Sequence, residues 1–88
     1  MWRFYPENID IITIIQEALA LNQDIIANNN LYISMPQITS IIICANKTTL
    51  VSHIATMLYN ILNNQMKNNS VNIAIIEKDS QIQIKIIS

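Results

Sequence analysis

Apolar and polar positions alternate along this chain with two periods, and the switches between them mark its elements. From Ile11 to about Ala27 the apolar residues fall at Ile11, Ile14, Ile15, Ala18, Leu19, Ile25 and Ile26, the spacing of one face of a helix. Asn8 or Asp10 can supply its N-cap, and Asn28-Asn29-Asn30 ends it. The stretch before it, Trp2 to Asn8, reads as an extended lead-in, with Pro6 fixing one dihedral. Leu31–Met35 reads as a short strand closed by Pro36. Ile38–Ala45 reads as a second strand, and its β-branched run Ile41-Ile42-Ile43 predicts burial on both faces. Asn46 then caps a long helix from Lys47 to about Asn68. The period of two returns at Val71–Ile76 and Ile82–Ile87, two strands joined by a polar turn over Glu77-Lys78-Asp79-Ser80. In the last strand Ile82, Ile84 and Ile86 alternate with Gln81, Gln83 and Lys85, giving one dry face and one wet face.

This order, α-β-β-α-β-β, predicts an α/β (α+β) two-layer sandwich, with two helices packed on one face of a four-stranded mixed sheet. Eighty-eight residues make one small domain, and the 51% apolar content is enough for its core. Charged residues are only 12%, against roughly 25% in an average globular domain, so solubility leans on Asn, Gln, Ser and Thr. The net charge of −1 and the lack of any basic run disfavour nucleic acid as a partner. The longest apolar run, Ile41 to Ala45, is far short of the roughly 20 residues of a membrane span, and no signal peptide is legible. Together with a single cysteine, Cys44, expected in the core, this reads as a cytoplasmic chain without membrane contact from this segment.

The chain contains no glycine. Phosphate-cradling loops use glycine for positive φ and for close backbone approach, so a Walker loop and a dinucleotide fingerprint are both excluded. One His, one Cys and scattered acids assemble neither a zinc site nor a nucleophilic triad. His53 reads as a partly exposed structural histidine.

On the long helix, Leu50, Ile54, Met57, Leu58, Ile61 and Gln65 gather on one side at 100° per residue. Thr56, Asn60, Asn63 and Lys67 line the other, with Asn60 near the middle of that stripe. A solvated helix face is one reading. A ligand face is the other, because an Asn side-chain oxygen can join phosphates and water around Mg²⁺. The spacing alone does not choose between them.

The succession of short motifs resembles the opening of the ATP-binding domain of sensor histidine kinases of two-component systems, a Bergerat-type fold. The family opens with phenylalanine, one residue and proline, then an apolar helix with an internal glutamate. Here these are Phe4, Pro6, Ile9, Ile11, Ile15, Glu17 and Leu19. A short strand follows at Leu31–Met35, then a strand, Ile41–Ala45, ending where the family has an acid and this chain has Asn46. The family's asparagine box then maps onto Thr56, Met57, Leu58, Tyr59, Asn60, Ile61, Leu62 and Asn63. Thr56, Ile61 and Asn63 depart from the first Asn, the small residue and the basic residue of that box. A second register runs from Asn60 to Lys67, with Asn64 as the metal ligand and Lys67 as the basic residue.

The resemblance covers about Phe4 to Ser88 but only the first part of the family's domain. The adenine-reading aspartate, the glycine boxes and the lid would lie beyond Ser88. It implies part of an ATP-binding catalytic domain, a transferase component that holds ATP and Mg²⁺ for histidine phosphorylation in signal transduction. Asn60 would be the metal ligand, and Thr56, Asn63, Asn64 and Lys67 would flank the nucleotide. The implied partners are the nucleotide, the kinase's dimerisation and phosphoacceptor domain, and indirectly a response regulator. His53 is followed by Ile54, whereas the family's phosphoacceptor is usually followed by an acid, so it does not read as the acceptor. Without glycine boxes and lid, nucleotide binding by these residues alone is expected to be weak or absent. The chain would be a fragment or a degenerate remnant of such a kinase. Against this stands a non-catalytic α/β interaction or dimerisation module that has lost the nucleotide, with a homodimer as one form of it. A weaker alternative is an unrelated small α/β domain whose Asn and Ile bias imitates the box.

Overall fold

Asp10 ends the first strand and starts the first helix. Its Oδ1 accepts the Ile12 N–H at 3.0 Å as an N-cap, and also the Ile41 N–H at 3.2 Å from the approach to another strand. The computed structural model describes residues 6–38, 40–79 and 81–87. Their elements are β1 (Glu7–Asp10), α1 (Ile11–Leu21), α2 (Gln23–Asn28), β2 (Tyr32–Ser34), β3 (Ile42–Ala45), α3 (Lys47–Leu62), β4 (Ser70–Lys78) and β5 (Gln81–Ile87).

The fold is mixed α and β, as the periodicity predicts, but the single four-stranded sheet and the order α-β-β-α-β-β are replaced. Part of the extended lead-in is a strand, β1, and it pairs antiparallel with β3 from Glu7↔Ala45 to Asp10↔Ile42. Since β1 takes β3 as its partner, the other sheet has three strands in the order β2-β4-β5, parallel between β2 and β4 and antiparallel between β4 and β5. Trp2 and Phe4 lie outside the described residues.

The expected first helix is two. Asn22 breaks it, turning its side chain inward so that Nδ2 donates to the Ala18 carbonyl at 3.0 Å and to the Ala55 carbonyl of α3 at 3.1 Å. An Asn in a helix competes for backbone carbonyls, and here that competition ties the helix end to its neighbour. Asn46 caps α3 as expected, its Oδ1 accepting the Thr49 N–H at 2.9 Å. However, α3 stops at Leu62 rather than near Asn68. Past Leu62 the side chains of Asn64 and Gln65 donate to the Asn60 and Ile61 carbonyls, satisfying acceptors that a helix end leaves unpaired, and Asn favours such local bonding over continuing a helix.

Left-handed backbone falls on Asn30, Asn68 and Asp79, the residue types that tolerate it best when glycine is absent. Two of them join. Asn30 Nδ2 donates to Asn68 Oδ1 at 2.8 Å, and the Asn68 N–H donates to the Asn29 carbonyl at 2.9 Å. The loop entering β2 is thereby fastened to the loop entering β4, the two strands that pair in parallel.

One core cluster joins Ile9 of β1, Ile11, Ile12, Ile14, Ile15 and Ala18 of α1, Leu31, Ile54, Leu58 and Leu62 of α3, and Val71 and Ile73 of β4. The molecule is only 18 Å thick, the depth of one helix layer on one sheet layer. Two burial expectations are corrected. The run around Ile42 is not buried on both faces: Ile42 is 61% exposed, because β3 belongs to a two-stranded sheet with one open face. Cys44, expected in the core, alternates to that same open side and is exposed. Among the described residues no helix is long and apolar enough to cross a membrane.

The two N–H donors hold the Asp10 carboxyl below its ordinary 3.8, the Ile41 bond being the larger cause, with partial burial opposing. A carboxyl whose pKa falls on folding adds stability above its unfolded pKa, and that stability is lost as pH falls through the folded value. Urea midpoints should therefore drop below about pH 4, the region of an unperturbed Asp. In Asp10→Asn, which cannot titrate, that acid-side slope should be shallower. An unchanged slope would remove Asp10 from the account.

Candidate functional site

Helix α3 places its side chains by simple rotation. Ile54, Leu58 and Leu62 point into the core, with Leu50, Val51, Ala55, Met57 and Ile61 flanking them half-buried. The opposite stripe, containing Ser52, His53, Thr56 and Asn60, is exposed. The core face is centred one step away from the sequence expectation, since Leu62 is fully buried.

The exposed stripe is the floor of two shallow grooves. One, about 760 Å³, is lined by Thr48, Thr49, Ser52, His53, Thr56, Met57 and Asn60. The other, about 650 Å³, runs between α1 and α3. Among its lining residues are Glu17, Leu21, Asn22, Lys47, Val51 and Tyr59. Thr48, Ser52 and Thr56 form the ridge between them. Two residues of the second groove form an ion pair, Lys47 Nζ to Glu17 Oε1 at 3.2 Å, with both side chains nearly half exposed. Such exposed pairs contribute little to stability. The sequence reading did not anticipate this groove.

The anticipated site residues divide between helix and loop. Thr56 and Asn60 stand on α3, one turn apart, in the 760 Å³ groove. The Thr56 hydroxyl is engaged, donating to the Ser52 carbonyl at 3.0 Å. The Asn60 side chain makes no hydrogen bond among the described residues; only its backbone carbonyl is used, accepting from Asn64 Nδ2 at 2.7 Å. Asn63 is the C-cap of α3, and Asn64 and Lys67 lie beyond the helix, all three exposed and none of them lining either groove. The residues of the first register through Leu62 thus share one helix, whereas the second register runs off its end.

His53 is exposed and shares the groove with Asn60 and Met57. Among the described residues, no cluster of three or more His, Cys, Asp or Glu side chains is placed to hold a metal ion. A cation at Asn60 would meet the amide oxygen and the hydroxyls that line the same groove, with phosphate and water filling its remaining positions, an all-oxygen set that Mg²⁺ accepts. No protein-family model matches this chain, and no curated protein matches it either.

Proposed function

We propose that these residues form part of an ATP-binding catalytic domain of the two-component sensor histidine kinase type, acting in the cytoplasm. The observation that carries this reading is the amide of Asn60, which makes no hydrogen bond among the described residues and lines an open groove on the outer face of α3, while its neighbour Thr56 is bonded back to the helix. The strand-capped long helix followed by the β4–β5 hairpin supports it. Of the two asparagine registers, the one centred on Asn60 is favoured, because Asn64 lies past the helix end with its amide already donating to Asn60.

Asn60 would give one oxygen to Mg²⁺, and the exposed hydroxyls of Thr48, Thr49 and Ser52 line the same groove as hydrogen-bond donors for phosphate oxygens. Bound MgATP would supply the γ-phosphoryl group for a histidine on the kinase's phosphoacceptor domain, with a response regulator downstream. Positioning and charge neutralisation are the whole of a protein's part in such transfer. These 88 residues hold no glycine loop to cradle phosphates, and the described lining of the groove has no Lys or Arg side chain, so they offer only a fraction of that machinery.

The expected result is weak binding, with a Kd of about 1 mM or higher. In an amide NMR titration, MgATP should move the signals of His53, Thr56, Met57 and Asn60. Asn60→Ala should remove the part of the shift that depends on Mg²⁺. Shifts confined to another surface, or none on this face at concentrations on the order of 10 mM, would remove the nucleotide reading.

A second reading, a non-catalytic interaction or dimerisation module that has lost the nucleotide, is favoured by a different observation. The inward stripe of β5 is incompletely covered: Ile84 and Ile86 are half-buried and Ile82 is 37% exposed.

A further inference from the structure

We infer that β5 is a self-complementary edge through which two copies of this chain pair antiparallel about Ile84, on a two-fold axis normal to the sheet. The inference stands whether or not the Asn60 groove binds nucleotide. Among the described residues, no strand pairs with the outer side of β5. A seven-residue free edge is long for an unprotected one, and a row of unpaired N–H and C=O groups is a template for another strand.

The register follows from the hairpin. Lys78 pairs with Gln81, leaving two residues between them, and such a hairpin closes on a hydrogen-bonded pair. The ladder alternates from there. Gln81, Gln83, Lys85 and Ile87 therefore turn their backbone groups toward β4, while Ile82, Ile84 and Ile86 turn theirs to the free edge. When β5 meets a second β5 centred on Ile84, Ile82 lies opposite the second copy's Ile86, Ile84 opposite its own counterpart, and Ile86 opposite Ile82. All of these residues have outward-facing backbone groups, enough for about six new hydrogen bonds.

The side chains agree with that register. Ile82, Ile84 and Ile86 lie on the core face of the sheet, paired through the ladder with Glu77, Ile75 and Ile73. Burial falls off along that face, from buried Val71 and Ile73 through half-buried Ile75, Ile84 and Ile86 to exposed Ile82. Cover is thus thinnest toward β5, the side on which the same strand of a second copy would lie. The pairing would join two half-covered isoleucine stripes into one apolar floor. On the opposite face Gln83 lies directly across from the second copy's Lys85; the two Lys85 are diagonal neighbours about 7–8 Å apart, whose long exposed side chains can splay into solvent, and the chain's net charge of −1 gives little overall repulsion between copies. A contact in which one patch meets its own copy is the isologous interface of a two-fold dimer.

Gln83 supplies the test. It is exposed, on the open face of the sheet, opposite Ile76 within its own copy, so changing its charge leaves the core alone. Sedimentation equilibrium of the 88-residue chain at low salt should show a monomer–dimer equilibrium. Gln83→Glu, which sets a carboxylate opposite Lys85 twice per dimer, should lower the dimer Kd roughly 3- to 30-fold. Gln83→Lys should raise it by a similar factor, and Gln83→Lys with Lys85→Glu should recover it. Circular dichroism checks that each variant stays folded. A chain that remains monomeric at high concentration, or a dimer whose Kd ignores these three charge patterns, overturns the inference. The second result would place the contact on another surface.

Discussion

Leu58→Ala is expected to cost about 2–5 kcal/mol, enough to leave the chain largely unfolded under mild denaturant. Leu58 is 1% exposed and lies in the middle of α3, in the same core cluster as the α1 isoleucines. Removing its branched end loses the transfer energy of the missing methyl groups. It also leaves a cavity that the surrounding β-branched residues, stiff at χ1, fill badly. A domain of this size has a total stability on the order of 5–10 kcal/mol, so the loss is a large part of the whole. With a urea slope of about 1 kcal/mol/M, the unfolding midpoint should fall by at least 2 M. Thr56→Ala, two residues earlier on the exposed face, should stay within about 0.5 kcal/mol and serves as the control. Equal midpoints for the two variants would mean that α3 does not pack through Leu58.

Asn22→Asp should be of similar size for an electrostatic reason. Asn22 is 5% exposed, and its Nδ2 is the donor to the carbonyls of Ala18 and Ala55. Aspartate would put an acceptor oxygen where that donor stands, facing two carbonyl dipoles. Leaving a charge so placed costs about 3–5 kcal/mol, less whatever the carboxyl recovers by staying protonated. The pH signature separates this from a packing defect. The new carboxyl would have a raised pKa in the fold, so its penalty is full above that pKa and is relieved as pH falls through it. The variant should therefore recover relative to the wild type between neutral pH and about pH 5, the opposite trend from Asp10. Asn22→Leu, which loses the two bonds but adds no charge, should cost about 1–3 kcal/mol with no pH dependence. An Asn22→Asp variant as stable as the wild type at pH 7 would show that the two carbonyls are satisfied by water.

Of the candidate site, Thr56 and Asn60 were legible because a helix face is fixed by 100° steps alone, and both stand on the exposed side of α3. Asn63 and Lys67 were assigned to the same stripe by continuing that rotation, and Asn64 entered through the second register of the asparagine box, but α3 ends at Leu62. Asparagine side chains decided the difference, since whether Asn64 bonds its own helix or leaves it is a local competition of a few tenths of a kcal/mol. The groove between α1 and α3 needs both helices at once, so no single stretch of sequence encodes it.

The one-dimensional pattern by itself determined the capped starts of α1 and α3, the inward stripe of α3 to within one step, the β4–β5 hairpin and the mixed α/β class. Each depends on neighbours within a few residues, through a cap, a helical face or a pleat. Only the tertiary structure decided that β1 would claim β3 and divide the sheet, that Asn22 would break the first helix to reach Ala55, and that Cys44 and Ile42 would face outward. Those outcomes rest on contacts between residues some 30 apart in the chain, such as Asn22 with Ala55 or Asp10 with Ile41. Strand partners and buried faces are chosen by which surfaces remain uncovered once the rest has packed. A polar or apolar residue carries the same letter whichever surface that turns out to be.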